Sequence, residues 1–111
     1  MTTAMEKRKI SLVQDFSGTP GGRCRSQSEF SGEEFRDDII RPALRDSDEL
    51  EIDLDGALGF PASFLDEAFG KLVELEGKDI FKKRIKLKLT DNAIALKLLK
   101  TCIRERGGAI D

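Results

Sequence analysis

The stretch that most limits how this chain can fold is Glu49 to Gly70, ELEIDLDGALGFPASFLDEAFG. Leu50, Ile52 and Leu54 alternate with Glu49, Glu51, Asp53 and Asp55, the period-two pattern of a strand with one buried face and one wet face. Gly56, Gly59 and Pro61 then break the chain. Ser63 stands where a helix N-cap is expected, with Asp66 three residues on as an approximate capping box. Strand, tight loop and helix in that order put the loop beyond the carboxyl end of a strand, where open α/β sheets place their sites.

A second alternating stretch, Arg84 to Leu89, has Ile85, Leu87 and Leu89 apolar and Lys86 and Lys88 polar. A strand–helix–strand connection makes such strands parallel neighbours. The acidic row Glu51/Asp53 would then lie beside the basic row Lys86/Lys88 as a charge ladder, each pair contributing about 0.2–1 kcal/mol. A sheet covered on both faces would read as unbroken apolar runs, so the alternation predicts helices on one face only.

Elsewhere the reading is less regular. Lys7 to Phe16 carries Ile10, Leu12, Val13 and Phe16 and is expected to be a first strand. SGTPGG at Ser17 to Gly22 is a turn, without the glycine spacing or the Lys-Ser/Thr ending of a phosphate loop. A short strand at Arg23 to Ser26 pairing back antiparallel would complete a mixed four-stranded sheet. Ser31-Gly32-Glu33-Glu34 is a full capping box. The helix it opens has Phe35, Ile39, Ala43 and Leu44 on one face, and Pro42 predicts a kink. The helix after Ser63 turns Leu65, Ala68, Phe69 and Leu72 inward, flanked by Phe64 and Val73. Gly70 inside it implies a close neighbour, because glycine there costs about 1 kcal/mol relative to alanine. Gly77 ends it, a short turn is expected at Asp79 to Lys83, and Thr90-Asp91 is expected to cap a last helix with Ile94, Ala95, Leu98, Leu99, Cys102 and Ile103 inward. Residues 1–6 read as a frayed start, 7–106 as one domain and 107–111 as a tail.

The chain has 111 residues, a net charge of −2, no histidine and two cysteines, Cys24 and Cys102. One core fits that length. The charge gives no pull toward nucleic acid or anionic lipid. The commonest acid/base group and zinc ligand is absent. Two distant cysteines fit a reduced, cytoplasmic compartment better than a disulfide. No apolar run approaches the ~20 residues of a membrane span. No membrane partner, metal or cofactor is expected. The basic run Phe81 to Lys86 has one aromatic, too few for a nucleic-acid stacking surface, and the acidic run Asp46 to Asp55 lacks a calcium loop.

Asp53-Leu54-Asp55-Gly56 is similar to the first motif of haloacid-dehalogenase-type phosphatases, D-x-D-G-T, with a nucleophilic Asp, an acid Asp and magnesium. Thr90 and Lys97 or Lys100 stand where further motifs are wanted. Ala57 replaces the threonine, and no downstream acidic pair follows. The bland reading has Asp55 accepting backbone hydrogen bonds in a turn.

Five motifs together carry a broader resemblance: Gly21-Gly22-Arg23, S-G-x-x-F-R at Ser31 to Arg36, P-x-L at Pro42 to Leu44, D-x-D-G at Asp53 to Gly56, and S-F-L-D-E-A-F-G at Ser63 to Gly70. The combination resembles the bacterial STAS-like domains of unknown function, over about Gly21 to Leu75 and loosely to Ile103. Those domains are similar to the STAS fold of anti-sigma factor antagonists and sulphate transporter tails. The resemblance implies a non-enzymatic regulatory module that docks a protein partner, with an ATPase of the histidine-kinase-like (GHKL) group as candidate. It also implies a phosphorylated serine at the strand-to-helix turn. The antagonist turn is usually D-S-S/T-G. Here it reads Pro61-Ala62-Ser63-Phe64, with Ala62 at the first hydroxyl position and Ser63 at the second. The expected docking surface comprises Asp55, Gly56, Phe60, Pro61, Ser63, Phe64 and Glu67, with Ser63 as candidate phosphoacceptor. The alternatives are a magnesium-dependent phosphate-handling enzyme using Asp53 and Asp55, and a small-ligand or nucleotide sensor using the same turn.

Overall fold

Among the described residues three parallel strands form the sheet, in the order β1 (Lys7–Ser11), β2 (Glu49–Asp53), β3 (Ile85–Lys88). This is a computed structural model, and it describes residues 6–109. Most of the expected frayed start and the end of the expected tail, residues 1–5 and 110–111, lie outside the described residues. Between and after the strands run α1 (Leu12–Asp15), α2 (residues 32–45), α3 (residues 62–76), α4 (Lys78–Arg84) and α5 (Ala93–Glu105).

The expected fourth strand is not formed, and the sheet is parallel rather than mixed. The chain leaves β1 early because Ser11 accepts from Gln14 N at 3.2 Å while its own N–H goes to Asp15 Oδ2 at 2.7 Å. Those bonds turn Leu12 into α1. The backbone of 21–23 spends its hydrogen bonds on the start of α2 instead of on β1. Gly21 N donates to Phe30 O (2.8 Å), Gly32 N to Gly22 O (2.9 Å) and Glu33 N to Arg23 O (3.1 Å).

The charge ladder is as the alternation predicted. Glu51 is in register with Lys86 and Asp53 with Lys88. On the other side Lys9 is in register with Glu51. Lys88 Nζ lies 3.8 Å from Asp53 Oδ2 and Lys9 Nζ 3.7 Å from Glu51 Oε2. These pairs are exposed and contribute little each. Their role is to keep one sheet face wet while Ile10, Leu50, Ile52 and Ile85 go under the helices.

Ser31 caps α2, its Oγ accepting from Glu34 N at 3.1 Å. The middle of α2, Phe35–Ile40, is a π-helical turn in which Arg41 N reaches back to Arg36 O. The wider turn carries the helix past Pro42, which lacks an N–H and would crowd the carbonyl four residues before it. The helix therefore continues to Arg45 instead of stopping at the proline.

Helix α3 begins two residues earlier than the capping pattern predicts. Pro61 is its N-cap and its carbonyl accepts from Phe64 N (3.0 Å) and Leu65 N (3.3 Å), so Ser63 lies inside the first turn and caps nothing. Core demand sets this register, since Phe64 and Leu65 must both be buried. Asn92 rather than Thr90-Asp91 caps α5, accepting from Ala95 N at 3.0 Å. The expected short turn before β3 is a full helix, α4, with Phe81 buried and Arg84 donating to the Leu44, Ser47 and Asp48 carbonyls at the end of α2. Ile94 and Leu98, expected inward, are exposed.

Helices α2 and α3 meet at Gly32. A Cβ there would lie 2.7 Å from Phe64 O and 3.0 Å from Ala68 N, both backbone atoms that cannot step aside. Gly70 plays the same part toward α5, where a Cβ would sit 3.3 Å from Cys102 O and 2.7 Å from Asp66 Oδ1. Gly32→Ala is expected to destabilise the fold by about 1–3 kcal/mol, although alanine is the better helix former by about 1 kcal/mol. Urea unfolding checks this, and a stabilised variant would mean the helices do not approach this closely.

Candidate functional site

Two loops beyond the carboxyl ends of β2 and β3 are fastened together by Asp55. Its carboxylate accepts from Thr90 N (2.6 Å), Thr90 Oγ1 (2.6 Å) and Asp91 N (3.2 Å). Asp91 replies, its Oδ2 accepting from Gly56 N at 2.8 Å. Bonds from the Thr90 hydroxyl and backbone hold the Asp55 carboxyl below the ordinary carboxylate range. Asp53 Oδ1 accepts from Asp55 N at 3.0 Å, and Oδ2 faces Lys88. Asp55 is an acceptor of backbone hydrogen bonds as the bland reading had it, but the donors belong to the loop after β3 and not to its own turn.

A second cluster lies behind the loop, where the two π-helical turns, Phe35–Ile40 of α2 and Asp66–Gly70 of α3, face each other. Arg36, 5% exposed, donates to Glu67 Oε2 at 2.6 Å, to Glu67 O at 2.8 Å and to Asp37 Oδ1 at 2.9 Å. The π turn makes the second bond available. Lys71 N reaches Asp66 O, five residues back, and the Glu67 carbonyl takes the guanidinium instead. Arg23 adds bonds to Asp66 Oδ2 (2.7 Å) and Glu67 Oε1 (3.3 Å), and Arg106 reaches Asp66 Oδ2 (2.9 Å) and Glu74 Oε2 (2.8 Å). Burial would lower the Arg36 pKa, but its bonds to Asp37 and Glu67 outweigh that and hold it raised. This network explains three of the sequence motifs. Gly-Gly-Arg, S-G-x-x-F-R and S-F-L-D-E-A-F-G are the pieces of one joint.

The expected docking residues are thereby sorted. Phe64 is fully buried, stacked at 6.0 Å on Phe35 and tilted at 6.3 Å to Phe60, so it is core and offers nothing to a partner. Glu67 belongs to the Arg36 joint. Phe60 and Ser63 are half-buried, and Asp55 is occupied by Thr90 and Asp91. Gly56 and Pro61 are exposed on the rim. Sequence reasoning missed Leu58, which is 87% exposed, and Ile94, which is 78% exposed. Leu58 lies two residues beyond Gly56 and Ile94 three beyond Asp91, on the two loops that the Gly56–Asp91 bond joins. The rim is also tied down at Leu58 N, which donates to Gly18 O at 2.9 Å. The loop from Gly56 to Pro61 carries no polar side chain, and Ala57 and Phe60 are apolar as well, so no local pattern marked Leu58 as the exposed one.

Other features are structural. Cys24 is half-buried and Cys102 buried, both as free thiols, and burial pushes the Cys102 thiol up. Among the described residues no group of three or more His, Cys, Asp or Glu side chains is placed to hold a metal ion, and no helix is long and apolar enough to cross a membrane.

A parallel α/β sheet with one wet face, two glycine-jointed helices and a strand-end rim defines a small open-faced α/β domain. The matching family model is the STAS-like domain of unknown function (DUF4325), over residues 31–95, and the chain belongs to that family. Comparisons with curated proteins and with solved structures found no match.

Two outcomes test this geometry. Glu67→Ala should cost about 3–5 kcal/mol, because Arg36 stays buried with part of its charge unanswered. An Arg36→Met/Glu67→Leu double variant should cost less than that single change, as read by a double-mutant cycle in urea. Asp55→Asn should lower the melting temperature at pH 7. A depressed folded pKa stabilises above the unfolded value of about 3.9 and is lost as pH falls through the folded pKa. The deficit should therefore shrink toward zero below that range. A deficit independent of pH would remove the carboxylate's charge from the account.

Proposed function

We propose that the chain is a non-enzymatic regulatory module that docks a protein partner through the rim of residues 56–62. The observation that carries this reading is Leu58, an apolar side chain 87% exposed on a loop fixed at Gly56 and at Leu58 itself. A loop held in place binds without the ordering cost of a mobile one. Pro61 and Ala62, exposed at the helix start, widen the apolar contact. Membership of a STAS-like family supports a regulatory role, and the sequence resemblance to anti-sigma factor antagonists makes a GHKL-type ATPase the partner to try first. In this reading Ser63 is the modification site. It lies in the first turn of α3, where a phosphate meets the positive end of the helix.

The phosphate-handling alternative needs Asp53 or Asp55 as a free nucleophile or acid. The hydrogen bonds each accepts argue against that role. The sensor alternative needs a ligand at the same turn, and no observation favours one.

The test is capture of the partner from lysate of the source organism on immobilised protein, followed by titration of the purified partner. Leu58→Asp should weaken binding roughly tenfold or more, as apolar interface anchors do, with unchanged melting temperature. Ser63→Glu should weaken it and Ser63→Ala should not. Undiminished binding by Leu58→Asp would move the interface off the rim. Magnesium-dependent hydrolysis of a generic phosphate ester that is lost in Asp53→Asn would replace the proposal with the enzyme.

A further inference from the structure

The outer edge of β1 is a second surface, independent of the rim. Among the described residues β1 pairs with β2 alone. Glu6 O accepts from Asp48 N and Glu49 N, so the even-numbered residues of β1 direct their backbone groups toward β2. The alternation leaves the N–H and C=O of Lys7 and Lys9 pointing away from the sheet. The next outward donor, Ser11 N–H, is taken by Asp15. An open stretch therefore runs over Lys7 to Ile10.

Beside this stretch, between β1 and α2, lies a groove of about 340 Å³ whose apolar lining comes from Ile10, Ile39, Pro42 and Ala43. Three carboxylates also line it; Asp38 is paired with Arg25 at 2.6 Å and Asp46 with Arg8 at 3.7 Å, while Asp15 accepts from Ser11 N–H and keeps its charge at the far end of the edge. On the wet face the edge presents Lys7 and Lys9, the Lys9 side chain 81% exposed. Moving inward from that edge the signs across the sheet alternate, Lys9, Glu51, Lys86 in register.

We propose that the β1 edge takes an extended acidic segment of a partner protein as a fourth strand. Its backbone would pair with Lys7 and Lys9. Its acidic side chains would lie beside the lysine row, continuing the alternation of sign, and its apolar side chains would enter the groove over Ile39 and Ala43. Strand addition of this kind takes affinity from main-chain bonds and specificity from alternate side chains. The required pattern is the one β2 already satisfies on the other side of β1, Glu-Leu-Glu-Ile-Asp. The lysines also decide against the obvious competitor. A second copy docking edge to edge would set basic rows against each other, the device by which sheets deter self-pairing.

The test uses the full 111-residue chain, labelled for NMR, and a synthetic peptide GSELEIDGS. Binding should shift the amides of residues 7–11 and of α2 around 39–43, and slow the exchange of the Lys7 and Lys9 amides. The charge-reversed peptide GSKLKIKGS should not bind. A Lys7→Glu/Lys9→Glu variant should bind the acidic peptide roughly tenfold more weakly. N-methylation of alternate peptide residues should abolish binding in the methylation register that removes the β1-facing N–H groups, which keeps the test independent of how the variant folds. Shifts confined to β3 or to residues 56–62, equal binding by the charge-reversed peptide, or dimerisation through β1 on sedimentation would each overturn the proposal. Leu58→Asp should leave peptide binding unchanged, so the edge and the rim stand or fall separately.

Discussion

A guanidinium in the protein interior must be answered, and Arg36 is answered by only one arrangement of the helices. An unpaired buried charge costs several kcal/mol. Arg36 therefore fixes α2 against α3 at the point where Glu67 can supply both a carboxylate and a carbonyl. Gly32 permits the approach by having no side chain, and the π turn of α3 frees the carbonyl. Arg23 and Arg106 extend the same joint to the 17–31 loop and to the end of α5. A network of this kind adds less net stability than an apolar core of the same volume would. Its contribution is geometric, holding three helices and a loop in one register.

That register carries forward to the rim. With α3 fixed, Phe64 and Leu65 are committed to the core and Pro61 becomes the cap. The loop between β2 and Pro61 must then cross the sheet end, where Asp55 and Asp91 fasten it to the neighbouring strand's loop. Leu58 cannot fold inward from there, because Gly56, with φ of +95°, turns the chain outward over Val13. The exposed leucine is thus a consequence of how tightly its flanks are held.

The alternating strands were legible because period-two patterning and charge are local properties. Glu51, Asp53, Lys86 and Lys88 announced both their face and their neighbours. The helices over residues 32–45 and 62–76 were legible from apolar spacing, and the glycine in α3 correctly signalled a close neighbour. Two capping details were not. Ser63 and Thr90-Asp91 looked like caps, but a cap is chosen by where the core lets the helix start, and Pro61 and Asn92 took those places. The supposed strand at Arg23 to Ser26 failed because the backbone of 21–23 bonds to Phe30 and to the start of α2 at Gly32 and Glu33, contacts that no local pattern announces.

Residue order was enough for a one-sided α/β layer, a charged outer face on each strand and a strand-end turn at Gly56 to Pro61, since each follows from residues within a few positions of one another. Which of the turn's residues face outward was set by packing between distant parts of the chain. Phe64 and Glu67 were drawn inside by Phe35 and Arg36, partners about thirty residues earlier in the chain. Burial and ion pairing across such distances depend on helix register, and no local pattern encodes that.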